Sequence, residues 1–156
     1  MDIAEWDPRA PGGEAFHALE RDDADGVREL RELLARGADI EAPDPRSRYF
    51  DGQTLLIAAA GRGRADLVRL LLALGADVDA RSASGWTALM RACNGGDLEC
   101  SRLLLDAGAD PELRNDEGYT AYGRIPGTRV ELLRLLRERG ARDPRPGRAG
   151  PPPGGA

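Results

Sequence analysis

The chain repeats itself at a fixed interval, and that interval restricts its fold more than any other feature. "GQTLLIAAAGRGRADLVRLLLALGAD" runs from Gly52 to Asp77, and "GWTALMRACNGGDLECSRLLLDAGAD" from Gly85 to Asp110. Gly52, Gly85 and Gly118 are spaced by 33 residues, and so are Thr54, Thr87 and Thr120. A period between about 20 and 50 residues marks an array in which each unit covers its neighbour. Two weaker copies flank the strong ones: "GADI" at Gly37–Ile40 closes an earlier unit, and "RGAR" at Arg139–Arg142 closes a later one.

The physics of one unit is readable. Thr54 and Thr87 stand where an N-cap belongs, just ahead of an apolar helical pattern. That pattern predicts short first helices over Leu55–Ala60 and Ala88–Cys93, rich in small residues that let neighbouring helices approach closely. Gly63 and Gly96 break them. Second helices follow over Asp66–Leu74 and Leu98–Ala107, with leucines on one face. Gly75 and Gly108 end these helices as left-handed C-terminal glycines. A single unit cannot cover both sides of its leucine layer, whereas stacked copies can.

The 33-residue period, the "G-x-T-x-L" opening, the "A-A/C-x-x-G" helix end and the "L-L-L-x-x-G-A-D" closure resemble the ankyrin repeat. The resemblance covers roughly residues 15–142 and is most specific over 52–110. It implies an all-α solenoid of about four helix-turn-helix repeats, over 15–42, 50–82, 83–115 and 116–143, joined by β-hairpin-like finger loops. Where the family prefers Pro after the Thr and His two positions further on, this chain has Leu55 and Ala88, then Ile57 and Met90. The outer copies depart more. The polar first copy suits an N-terminal cap. In the last, Pro126 falls where the first helix should finish, which predicts a short, poor first helix and a sound second one. Gly37 and Gly75 are 38 residues apart, so "PDPRSRYFD", Pro43–Asp51, enlarges the first finger. Residues 1–14 are an N-terminal extension, and the Pro/Gly-rich 144–156 is expected to be a disordered tail.

Charge narrows the function. The net charge of −5 disfavours a general binder of nucleic acid or anionic membrane, since both need a basic face. All 22 basic residues are Arg, which points to a GC-rich bacterial source. The start, "MDIAEWDPRAPGGEAF", has neither a basic n-region nor an apolar core, and no apolar run approaches a membrane span. The expected address is the cytoplasm. His17 alone cannot build a multi-histidine metal site, and Cys93 and Cys100 read as buried free thiols rather than a bridge. "GRGR" and "NGG" are helix–helix turns, not phosphate loops, because no Lys follows and no strand precedes. No catalytic set and no cofactor site emerges.

A surface remains. The resemblance implies partner binding through finger tips and the exposed face of the first helices. On this chain those positions are Arg46, Arg48, Tyr49, Phe50, Asp51 and Gln53 in the first finger, and Trp86, Asp116, Glu117 and Tyr119 in the later ones. Arg62, Arg91 and Asn94 come from the first helices or their ends. Aromatic residues and Arg are what interface hot spots use. Trp86 and Tyr119 have a second reading, packing against the neighbouring hairpin. The expectation is a non-catalytic, monomeric protein-binding module; regulation of an enzyme, an immunity or antitoxin role and an assembly adaptor all fit it. A nucleic-acid adaptor using the Arg-rich finger and tail (Arg142, Arg145, Arg148) is the alternative, and a small enzyme the least supported.

Overall fold

A computed structural model describes residues 13–21, 24–46, 51–127 and 129–143. Among these residues there are seven α-helices, one 3-10 helix and no strand. The helices are α1 (Gly13–Glu20), α2 (Ala24–Ala35), α3 (Leu55–Gly61), α4 (Ala65–Ala73), α5 (Ala88–Gly95), α6 (Leu98–Asp106) and α7 (Val130–Glu138), with the 3-10 helix at Tyr122–Arg124. The first helices α1, α3, α5 and the 3-10 helix pack in sequence as one layer, and α2, α4, α6 and α7 pack as the second. The sequence-expected helices are therefore present, each shifted by a residue or two at its ends.

The caps explain the boundaries. Thr54 Oγ1 accepts from the Ile57 amide at 3.4 Å and Thr87 Oγ1 from the Met90 amide at 3.3 Å. Each satisfies one of the amides a helix start leaves unpaired. Asp97 does the same for α6, accepting from Cys100 N at 2.7 Å. Gly75 and Gly108 have φ of 89° and 93°, the left-handed geometry that ends α4 and α6. In the last unit Thr120 Oγ1 accepts only from Gly123 N at 3.4 Å, within a three-residue 3-10 helix whose N-cap is Ala121, and Pro126 and Gly127 follow shortly after. A proline lacks the amide that would continue the helix and drives its predecessor to extended backbone; Ile125 has ψ of 120°.

The core is one continuous aliphatic cluster. Ala58, Ala59, Ala60, Ala88, Ala92 and Cys93 are all buried, which brings α3 and α5 into close contact. Leu67, Leu71 and Leu104 are fully enclosed between the layers, and Leu132 and Leu136 extend the cluster to the last helix.

A second device joins the units. Every "GAD" aspartate accepts an amide two residues on: Asp39 from Glu41 N, Asp77 from Asp79 N, and Asp110 from Glu112 N, all at 2.9–3.0 Å. The acid so positioned reaches the following unit. Glu41 accepts from Asp77 N at 2.7 Å, Asp79 from Asp110 N at 3.0 Å and Glu112 from Arg142 N at 2.8 Å. The zipper stops where Arg142 replaces the aspartate.

Candidate functional site

The loop that precedes α3, together with α3 and α5 themselves, forms a groove of about 340 Å³, lined by Asp51, Gln53, Ala58, Gly61, Arg62, Arg91, Asn94 and Gly95. Five of the residues expected to meet a partner lie in it. Two of its lining residues, Ala58 and Gly61, are small; a Cβ added at Gly61 would make an ordinary van der Waals contact with Arg91 Cβ at 3.8 Å.

The fingers are held in register by Asp51. Its backbone is left-handed, with φ of 58°. That places its carboxylate to accept from Ser82 Oγ at 2.6 Å, Ser84 Oγ at 2.7 Å and Ser84 N at 3.0 Å, while its carbonyl accepts from Ala83 N at 2.8 Å. Arg91 lies 3.9 Å away. Burial pushes the Asp51 carboxyl up, but the two hydroxyls, the Ser84 amide and Arg91 outweigh it and hold it below the usual value. The next finger continues the pattern with Asp116 N donating to Ser84 O at 3.1 Å. Ser82 and Asn115, one period apart, close the two turns: Trp86 N donates to Ser82 Oγ at 3.1 Å and Tyr119 N to Asn115 Oδ1 at 2.9 Å.

Beside the groove is a cluster of cations and rings. The guanidinium carbon of Arg91 lies 4.3 Å from the centroid of the Trp86 ring. That of Arg124 lies 4.8 Å from the same ring and 5.0 Å from the Tyr119 ring. Such contacts stabilise by roughly 0.5–2 kcal/mol each. Burial, and then the nearby Arg124 charge, pull the Arg91 pKa down, against the opposing pull of Asp51. The Nε–H groups of Arg91 and Arg124 are buried and have no acceptor among the described residues.

The expected partner-facing residues thus divide. Asn94, Asp116, Glu117 and Tyr119 are exposed, Tyr119 by 43%. Trp86 is 7% exposed, so its ring packs within the chain. Gln53 is buried, and its carbonyl accepts from Asp44 N at 2.9 Å. Arg46 folds back to grip Asp44, with Nε 3.0 Å from Oδ1 and Nη2 2.9 Å from Oδ2, and also reaches Glu20 at 2.6 Å. Burial lowers its pKa, and these two carboxylates more than reverse that. Arg62 shares Glu20 at 3.3 Å. Arg46 therefore ties the first finger to α1. Arg48, Tyr49 and Phe50 lie outside the described residues.

Arg124 was not among the residues read from the sequence, although one period added to Arg91 lands on it. Glu20, the shared anchor of Arg46 and Arg62, had no such signal, because it lies across the stack.

The thiols are buried among the helices. Burial pushes both Cys93 and Cys100 up to about 12, which leaves them protonated and poorly nucleophilic. Among the described residues no group of three or more His, Cys, Asp and Glu is placed to hold a metal ion. No helix among them is long and apolar enough to cross a membrane.

Two layers of short helix pairs with a period of 33 define a helical-repeat solenoid. A family model described as ankyrin repeats, in three copies, matches residues 16–115. The chain belongs to the ankyrin-repeat family, whose members are generally protein–protein interaction modules and typically non-catalytic. No curated protein matches it. The elements after residue 115, the 3-10 helix and α7, continue both layers beyond the matched copies.

Proposed function

We propose that this chain is a non-catalytic module that binds a partner protein through the groove between its fingers and first helices. The observation that carries the reading is the groove itself, which gathers Asp51, Gln53, Arg62, Arg91 and Asn94 from two adjacent units into one concavity. Its walls are set before any partner arrives. Asp51 is stitched to the next finger, and Arg91 is held against Trp86. A pre-organised surface loses little conformational entropy on association, so few anchoring contacts suffice. Tyr119, Asp116 and Glu117 extend the exposed rim towards the last unit.

The test is affinity capture from a lysate of the source organism, followed by titration of the captured protein in purified form. Wild type is run beside an Asn94→Arg/Tyr119→Ala variant, which changes exposed side chains only. A partner held by wild type and lost by the variant supports the groove. A partner held equally by both moves the site elsewhere.

A further inference from the structure

The groove lies beside two arginines that this acidic chain leaves with almost no counter-charge. Arg91 and Arg124 stand one period apart, as do Trp86 and Tyr119. Both guanidinium groups lie over the Trp86 ring, so they cannot be farther apart than their two distances to it laid end to end. Like charges this close repel, and aromatic faces hold them in place. The only carboxylate within ion-pair reach of either, among the described residues, is Asp51, 3.9 Å from Arg91. Asp51 itself is occupied by three shorter hydrogen bonds from Ser82 and Ser84. Arg124 has no carboxylate within 4.0 Å among those residues. Several other arginines of the stack do have carboxylate partners: Arg46 and Arg62 share Glu20, Arg64 pairs with Asp66, and Arg139 with Asp106.

We propose that the Arg91–Trp86–Arg124–Tyr119 cluster is a receiving site for Asp or Glu side chains of an acidic partner segment lying along the groove. The inference rests on the binding function proposed above and names the chemistry of its partner. Guanidinium groups bind carboxylates in a planar, two-pronged geometry, and stacking on a ring fixes the plane in advance. Arg91 lines the groove, and the half-exposed Tyr119 beside Arg124 offers an apolar face to the same segment. A phosphodiester chain fits less well. It brings continuous negative charge past Asp51 and the exposed Asp116 and Glu117, on a chain of net charge −5. Separate carboxylates on a peptide avoid those acids.

The experiment is selection of random-sequence peptides displayed on phage against the full chain. Selected peptides are then titrated by fluorescence polarisation against wild type, Arg91→Gln, Arg124→Gln, Arg91→Lys, Arg124→Lys and Asn94→Arg. Thermal unfolding and far-ultraviolet circular dichroism establish that each variant folds, and the lysine variants keep the charge if a glutamine variant does not fold. The expected result is enrichment of Asp and Glu and an affinity that falls with salt. Binding should weaken by about tenfold or more in each glutamine variant and recover in part with lysine. Peptides without acid enrichment that Asn94→Arg still blocks would overturn the carboxylate site and leave the groove standing. Peptides insensitive to Asn94→Arg and to both arginines, or no selected peptide, would overturn both readings. Arginine-dependent binding of a fluorescent oligothymidine, tighter than any peptide, would overturn the inference in favour of phosphodiester recognition.

Discussion

The unit that opens "GWTAL" at Gly85 and the unit that opens "GYTAY" at Gly118 start alike and end differently. The first builds α5, and its aromatic residue, Trp86, is buried. The second builds one 3-10 turn, and Tyr119 is 43% exposed. The aromatic side chains occupy the same place in the period. What differs is that Trp86 has a following unit, whose Arg124 lies over its ring, and that Tyr119 is in the last unit described. In a stacked array, burial belongs to a residue's neighbours as much as to the residue.

The largest effect should come from the leucine layer. Leu104→Ala removes a fully buried side chain from α6, which is packed by α4 on one side and α7 on the other, and should cost about 2–5 kcal/mol. Leu132→Ala in α7 should fall at the low end of that range, because the described chain packs α7 from one side. Urea denaturation of both variants compares them. Equal losses would mean that fractional burial, not position in the stack, sets the cost.

Glycines sharpen the contrast further. Gly96 has φ of 70°, and a Cβ there would displace the Arg129 guanidinium from its place. Arg129 also donates to Gly96 O at 3.0 Å, tying the last unit to the one before. Gly118 has φ of 82° but open space around it. Gly118→Ala should therefore cost only the left-handed backbone strain, roughly 1–2 kcal/mol, and Gly96→Ala more than that. Thermal unfolding of the pair would show the order; equal losses would mean that the Arg129 tie contributes nothing.

Caps give a smaller difference. Thr87→Ala should lose about 1 kcal/mol. Thr120→Ala should lose less, since its hydroxyl accepts only from Gly123 N at 3.4 Å in a single turn. The same denaturation series reads both.

The smallest effect is acid sensitivity in the finger register. The folded-state pKa of Asp51 lies below the ordinary aspartate value of 3.8. Its contribution is therefore present above that value and is lost as pH falls through the folded one. Asp51→Asn, which tolerates the left-handed backbone, should lose less stability than wild type when pH is lowered from about 5 to about 3. A parallel decline in both would show that Asp51 does not act through its charge.

Much of the fold was legible because it is local. Thr54 and Thr87 as caps, Gly75 and Gly108 as left-handed ends, and the leucine faces all depend on residues a few positions apart. Pro126 foretold the failed first helix for the same reason. The groove was legible only in part. Arg62, Arg91 and Asn94 could be placed from the period, but Arg46 and Trp86 could not be told apart from exposed anchors. Whether Arg46 faces a partner or Glu20 depends on α1, 26 residues earlier. The acidic zipper was also missed. "GAD" reads as a helix end, and its role of aiming the next acid at a following unit appears only when units are stacked.

By itself the sequence determined the period, the helix pairs, their caps and the small residues that let them approach. Each of these is set by short-range backbone geometry or by a hydrophobic pattern along one helix. Only the tertiary structure decided which charges are spent and which are left over. Asp51, Arg46 and Arg62 find partners within the chain, whereas Arg91 and Arg124 are gathered onto one ring with little counter-charge. Electrostatic pairing depends on distance in space, and no spacing along the chain reports it.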